Sequence, residues 1–257
     1  MPARRLLAPT AVFASVALIW WLAGRAGWTN AYLLPAPSTV AAALSDLAAS
    51  GALLKHTLIS LQRVLLGFAL SVALALPLAV LLSASRPARV VLDPLLEFVR
   101  QVPPLALIPL LILWLGIGEA QKLGIIVLAS FFPVFLGFRG GIAGVDPKLI
   151  EVGRVAGLTR RDILTRIVLP SALPELVVGL RISLGYSWRA LVGAELIASS
   201  AGLGYMIIDA ENLARTDIVL AGILVIGAIG LLSDLVLRLA VTRAFPWLSA
   251  DLEAARA

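Results

Sequence analysis

Few side chains in this sequence have types that make or break bonds. Among 257 residues there is no cysteine and one histidine, His56. Thiol chemistry, a disulfide frame and a cysteine-ligated metal are therefore excluded, and a single imidazole leaves almost no room for a histidine-based metal site or triad. No H-E-x-x-H pattern, paired aspartates or Ser/His pair occurs in an apolar segment, and no G-x-x-x-x-G-K-[ST] loop offers a phosphate cradle. What remains are polar residues set within apolar stretches. Arg100-Gln101 is followed by Pro103, Pro104 and Pro109, and further on come Arg181, Ser183, Tyr186, Ser187, Trp188, Arg189 and Glu195. Ionisable residues at membrane depth are costly and face a protein interior or water. A proline-rich stretch leaves carbonyls unpaired, which is tolerable only inside protein or beside a wet path. Residues 100–109 thus line a pathway or gate, or form a kinked, packed helix with Arg100 snorkelling to the surface. Arg181 snorkels. A guanidinium at Arg189 suits an oxyanion; the alternative is an ion pair or hydrogen bonds to backbone carbonyls. Glu195 pairs with Arg189 of a neighbouring chain or meets an external protein.

The elements that position these residues follow from composition. The chain is 60% hydrophobic and 14% charged, with mean hydropathy +1.00. A soluble domain carries roughly a quarter charged residues, so this one belongs in lipid. Its net charge of +6 is spread between apolar segments with no aromatic-interleaved basic patch, which argues against nucleic acid. A spanning helix needs about 20 apolar residues. Six segments qualify: 9–27, 61–83, 92–115, 123–141, 172–199 and 217–240. Arg4 and Arg5 precede the first, as in a signal peptide, but no small-x-small cleavage site precedes Trp28, so it is read as a retained helix. Trp20, Trp21 and Trp28 fit an interfacial belt. One set of connecting segments carries eleven Lys and Arg, from Arg4 to Arg256, and the other only Lys55, Lys122 and Arg215. That bias places both termini and the loop between the fourth and fifth spans in the cytoplasm.

Two connections have structure of their own. In 28–60, Leu34-Pro35-Ala36-Pro37 breaks any helix, after which Ser38 or Thr39 caps an amphipathic helix to about Ser50, with Val40, Ala43, Leu44 and Leu47 on one face. In 146–170, Asp146 caps and Pro147 fits a first turn. Lys148–Ala156 makes about two turns, Gly157 lets the chain reverse, and a second short helix covers 160–168 until Pro170 stops it. Ile150, Val155, Leu158, Ile163, Leu164 and Ile167 form an apolar side able to enter a groove. Arg154, Arg160, Arg161 and Arg166 are left for polar contacts. The bland alternative is an amphipathic loop resting on lipid headgroups. Gly137, Gly140, Gly141 and Gly144 permit close helix packing at one end of the fourth span. No linker or repeat divides the chain, so 1–257 is expected to be one membrane domain. Its parts are the helix 9–27, the segment 28–60 and a helical core 61–240 around the 146–170 loop.

The loop sequence EVGRVAGLTRRDILTRIVLP resembles the pattern E-A-A-x(3)-G-x(9)-I-x-L-P of permease subunits of ATP-binding-cassette importers. Glu151, Gly157, Ile167, Leu169 and Pro170 are in register, whereas Val152 and Gly153 replace the two alanines, and Gly153 weakens the first helix by roughly 1 kcal/mol relative to alanine. Further stretches resemble the nitrate/sulfonate/taurine branch: Leu34-Pro35-Ala36-Pro37, Ser60-Leu61-Gln62-Arg63-Val64, Pro103 to Pro109, Trp114 to Gly118, Ala194-Glu195 and Gly202-Leu203-Gly204-Tyr205. The resemblance implies an all-α membrane protein with the architecture of a type I importer permease, similar to the methionine permease, in the bacterial inner membrane. It implies that Glu151, Arg154, Ala156, Gly157, Ile163, Ile167, Leu169 and Pro170 grip an ATPase subunit, which binds the ATP and Mg. It further implies two permease copies, two ATPase subunits and a periplasmic or lipid-anchored binding protein that delivers a small solute. Arg100, Gln101, Pro104, Tyr186, Arg189 and Glu195 are the pathway candidates. The competing functions are a gradient-driven transporter or channel, whose mirrored halves are not visible here, and an intramembrane enzyme, which lacks a catalytic constellation.

Overall fold

The computed structural model describes the backbone of residues 2–28, 30 and 32–248, and side chains from residue 11 onward within those ranges. The described residues are helical, with no strand among them. The helices are α1 (Pro2–Arg25), α2 (Pro37–Ala49), α3 (Ala52–Ala84), α4 (Arg86–Gln101), α5 (Ile108–Leu115), α6 (Glu119–Ala143), α7 (Pro147–Val155), α8 (Arg160–Ile163), α9 (Leu169–Ala198), α10 (Leu203–Asn212) and α11 (Thr216–Ala244). Four helical runs are long and apolar enough to cross a membrane: 52–84, 119–143, 160–198 and 216–244. The expected first span falls in α1, whose described apolar part, Ala11–Arg25, is shorter than a span. The cytoplasmic placement of the termini rests on Arg4, Arg5 and Arg256, which lie outside the described side chains.

The expected third span is not one helix. α4 and the 104–115 segment meet at 89°. Val102 and Pro103 are extended at the break, and the backbone resumes as a 3-10 turn over Pro104–Leu107 before α5. Proline removes an amide donor and its ring clashes with the preceding turn, so three prolines within seven residues cannot continue α4. α4 also starts earlier than its apolar run, because the Ser85 hydroxyl accepts from the Ala88 amide and caps it. Arg89 donates to the carbonyls of Leu82 and Ser83, closing the C-terminus of α3.

The chain divides into two compact units, Met1–Ser60 with Ser199–Ala228, and Leu61–Ala198 with Ile229–Ala257. Within the first, α2 forms where the sequence places it, with Val40 and Ala43 buried. Its cap differs: Ala36 is the N-cap and Pro37 the first helical residue, a position where the missing amide costs nothing. Trp20 Nε1 donates to the Pro35 carbonyl at 3.1 Å, while His56 Nδ1 and Ser60 Oγ accept from the amides of Gly202 and Leu203 at the start of α10.

The second unit is built on α6 against α9. Gly137, Gly141 and Gly179 let the two backbones touch: a Cβ on Gly179 would lie 2.6 Å from the Pro133 carbonyl oxygen, and one on Gly141 2.7 Å from that of Ala172. Ser183 Oγ donates to the Ser130 carbonyl, and Ser130 Oγ meets Ser71 Oγ of α3, so hydroxyls seam three helices where no water can reach. Around this seam Ala75, Leu82, Val134, Phe135 and Leu176 form a core. Gly179→Val will push α6 from α9 and cost about 3 kcal/mol or more, since the obstructing atoms are backbone. The thermal midpoint in detergent should fall accordingly, whereas Gly140→Ala, where nothing lies within 4 Å, should leave it unchanged or raise it slightly.

Candidate functional site

The loop after α6 folds as a helical knob. Asp146 accepts from the Lys148 amide at 2.9 Å and Pro147 occupies the first turn, as the sequence requires. α7 ends in paired reverse bonds, Leu158 N–H to Gly153 O and Gly157 N–H to Arg154 O, with Gly157 at φ +75°. Thr159 and Asp162 form a reciprocal capping box that starts α8. Pro170 does not stop the second helix. Residues 164–168 form a π turn, in which the Leu169 amide reaches back to the Leu164 carbonyl, and the helix runs on to Ala198. Widening the turn just before Pro170 relieves the clash its ring would make with the Arg166 carbonyl.

The knob has its own core, which divides the expected contact residues into two sets. Val145, Ile163 and Val168 are buried, and Ile150, Leu158, Leu164 and Ile167 pack on them. These apolar residues therefore hold α7 to α8 and do not form an outward face, with Val155 the exception. Outward stand Leu149, Val152 and Val155, the last 90% exposed, beside Lys148, Glu151 and Ala156. Arg154, Arg160, Arg161 and Arg166 are exposed, and Arg166 lies 3.4 Å from Asp162. Leu169 and Pro170 are half-buried at the start of α9. Gly153, the departure from the motif, sits where a Cβ would lie 2.8 Å from Ile167 Cδ1 and 3.3 Å from Ile163 Cγ1. The helix propensity lost there is matched by a closer approach of α7 to α8.

Of the pathway candidates, Arg100, Pro104 and Tyr186 come together on a cavity of about 560 Å³ between the break after α4, α6 and α9. Glu175, Phe132 and Ile182 also face it. Arg100 binds Glu97 in an ion pair, and Gln101 Nε2 donates to the same carboxylate at 3.1 Å. Gln101, Arg189 and Glu195 are not on the cavity wall. Arg189 is exposed, and its guanidinium carbon lies 5.4 Å from the centre of the Tyr186 ring.

Glu195 has a partner in its own chain. It is fully buried and accepts from Arg63 Nη1 at 2.7 Å. Arg63 Nε donates to Glu119 at 2.7 Å, and Lys122 Nζ lies 3.4 Å from Glu119 and 3.2 Å from the Gly118 carbonyl. Two cations and two carboxylates thus join α3, α6 and α9. Arg181 likewise does not snorkel: it binds Asp234 of α11 through two bonds, at 2.8 and 2.9 Å. Arg139 holds Asp93 of α4 with two bonds of 2.6 Å. The sequence signal for each was a single charge in an apolar helix, which demands a partner without naming it.

The description "binding-protein-dependent transport system inner membrane component" matches residues 67–245. A protein of Bacillus subtilis (strain 168) assigned as the aliphatic sulfonates transport permease SsuC is 41% identical over 94% of this chain and 86% of its own length. The taurine transport system permease protein TauC of Escherichia coli (strain K12) is 38% identical over 89% of this chain and 85% of its own. Among solved structures, an amino acid ABC transporter aligns with TM-score 0.62 at 20% identity, covering 77% of this chain and 95% of that one. The MetNI methionine ABC transporter in an inward-facing conformation aligns with TM-score 0.56 at 19% identity, covering 70% and 91%. These two likenesses concern the fold.

Proposed function

The chain belongs to the family of binding-protein-dependent transport system inner membrane components, and from that premise we propose how it works. It is the permease subunit of an ABC importer and not an enzyme. Energy enters through the knob. α7 presents Leu149, Val152 and Val155 around Glu151, and this face enters a groove on a separate ATPase subunit that binds ATP and Mg. The single observation that carries this reading is that face: an apolar, outward-pointing patch on a polar, basic connection, backed by a core that keeps it rigid. A partner, and not lipid, fits it better, because Ile150, Leu158, Ile163, Leu164 and Ile167 are turned into the knob. A surface-resting amphipathic loop would spread them on the bilayer.

The Lys and Arg bias puts the knob and both termini on the cytoplasmic side. Two copies of the chain form the pathway, and closure of two ATPase subunits draws the two knobs together. The cavity at Arg100, Pro104 and Tyr186 lies on the route, beside the break after α4, where prolines interrupt the helix. The solute is a small sulfonate or a similar anion, taurine and nitrate included, handed over by a binding protein. The Arg63–Glu195 cluster locks the far ends of three helices and takes no part in coupling.

The test is isolation of the tagged chain from its native membrane, followed by reconstitution. An ATPase subunit is expected to copurify, and solute uptake is expected to require ATP and the binding protein. A chain that purifies without an ATPase and moves solute down an ion gradient would refute the reading.

A further inference from the structure

The walls of the cavity carry two charged side chains, Arg100 and Glu175. Their circumstances differ. Arg100 is already held by Glu97. Glu175 stands exposed on α9, with no salt bridge among the described residues. The rings of Phe132 and Tyr186 face the same space. The wall therefore offers an uncompensated carboxylate at one station and aromatic side chains at others, while its cation is partly neutralised. Within the class of small anionic solutes, a simple anion gains least from that wall: Arg100 attracts it less than a free guanidinium would, and Glu175 repels it. For a solute that carries an ammonium as well as an anionic group the same wall is complementary. Its ammonium is attracted by the Tyr186 ring at one point of the wall and by Glu175 at another, and its anionic group by Arg100. The volume, about 560 Å³, holds a solute of a few heavy atoms together with some of its water.

We propose that Glu175 is a specificity-determining residue, which makes the cavity selective for short zwitterions over simple anions of the same shape. This rests on the reading that the cavity lies on the transport route. Glu175 lies on the exposed stripe of α9 that includes Ile182 and Tyr186, with Arg189 one turn beyond, so a solute following the stripe passes a cation and then the carboxylate. The carboxylate is spaced from Tyr186 by three helical turns, roughly 16 Å, so a short solute meets Glu175 as a separate station.

The experiment uses the full chain with its ATPase and binding protein in proteoliposomes. The probes are taurine and ethanesulfonate, which share a two-carbon chain and a sulfonate and differ by the ammonium. The binding protein is common to all variants, so a change in the taurine-to-ethanesulfonate uptake ratio reports on the permease. Glu175→Gln is expected to lower that ratio about tenfold, chiefly by slowing taurine, and Glu175→Asp to keep most of it. Equal loss of both probes in Glu175→Gln, an unchanged ratio, or a wild-type complex that imports neither probe would overturn the proposal. Those results leave the importer reading intact as long as ATP hydrolysis still answers to the binding protein; absence of any ATPase partner is the failure of that reading.

Discussion

Arg63→Met will destabilise the chain by about 3–5 kcal/mol, the usual cost of leaving one member of a buried ion pair without the other. Glu195 is the reason. Its carboxylate is fully buried, bound to Arg63, and too deep for water to replace the guanidinium. Glu119, the other partner of Arg63, has a side chain 60% exposed and keeps Lys122 beside it, so its share of the loss is small. The double replacement Arg63→Met with Glu195→Leu removes both members of the buried pair and should recover most of the stability, because a buried pair exchanged for apolar groups is often neutral or better. The readouts are the thermal midpoint in detergent and the amount of folded chain in the membrane. Equal damage from the single and double variants would mean that the cluster matters for a reason other than charge pairing.

Val155→Asp will leave the isolated chain as stable as before and will break its hold on the ATPase. Val155 is 90% exposed, so a carboxylate there remains in water until a partner covers it. On docking, the lost apolar contact and the buried unpaired charge together cost about 3 kcal/mol, roughly a hundredfold in affinity. Val155→Ala removes only two methyl groups, about 1.6 kcal/mol, and should weaken binding about fifteenfold. Affinity for the purified ATPase, measured beside the thermal midpoint, separates the two quantities. If Val155→Asp bound as tightly as the wild type, the outward face of α7 would not be the contact.

The contrast between these residues shows what the sequence made legible. The knob was readable because its signals are local. Asp146-Pro147 starts α7 and Gly157 reverses the chain, each acting within a few residues of itself. The break after α4 was half readable. Pro103, Pro104 and Pro109 announce an interruption, but how far the chain turns there depends on what packs on either side. Pro170 misled for a related reason: a proline stops a helix unless the turn before it widens, and the π turn at 164–168 does so.

The pairing of Arg63 with Glu195 spans 132 positions and was not readable at all. Each charge announces a need, and only the packing of α3 and α9 on α6 decides who meets it. Which apolar residues of the knob face inward was hidden for the same reason. Ile150 and Val155 both fit an amphipathic pattern, and the approach of α7 to α8 over Gly153 buries the first side and exposes the second. The carboxylate of Glu175 gave no signal either, because its importance comes from a cavity wall made of three separate segments.

The central claim is that the outward face of α7 is where the ATPase takes hold. The chain has no cysteine, so a single cysteine at Val155 is the one position on it that a thiol-reactive benzophenone can label. A second probe at Leu113, 79% exposed on the apolar α5, serves as the lipid-facing control. Illumination in native membranes is predicted to yield one protein adduct from position 155, whose partner peptide carries a nucleotide-binding ATPase sequence, and none to that partner from position 113. Adducts from position 155 to lipid alone, or equal yields of ATPase adduct from both positions, would contradict the claim.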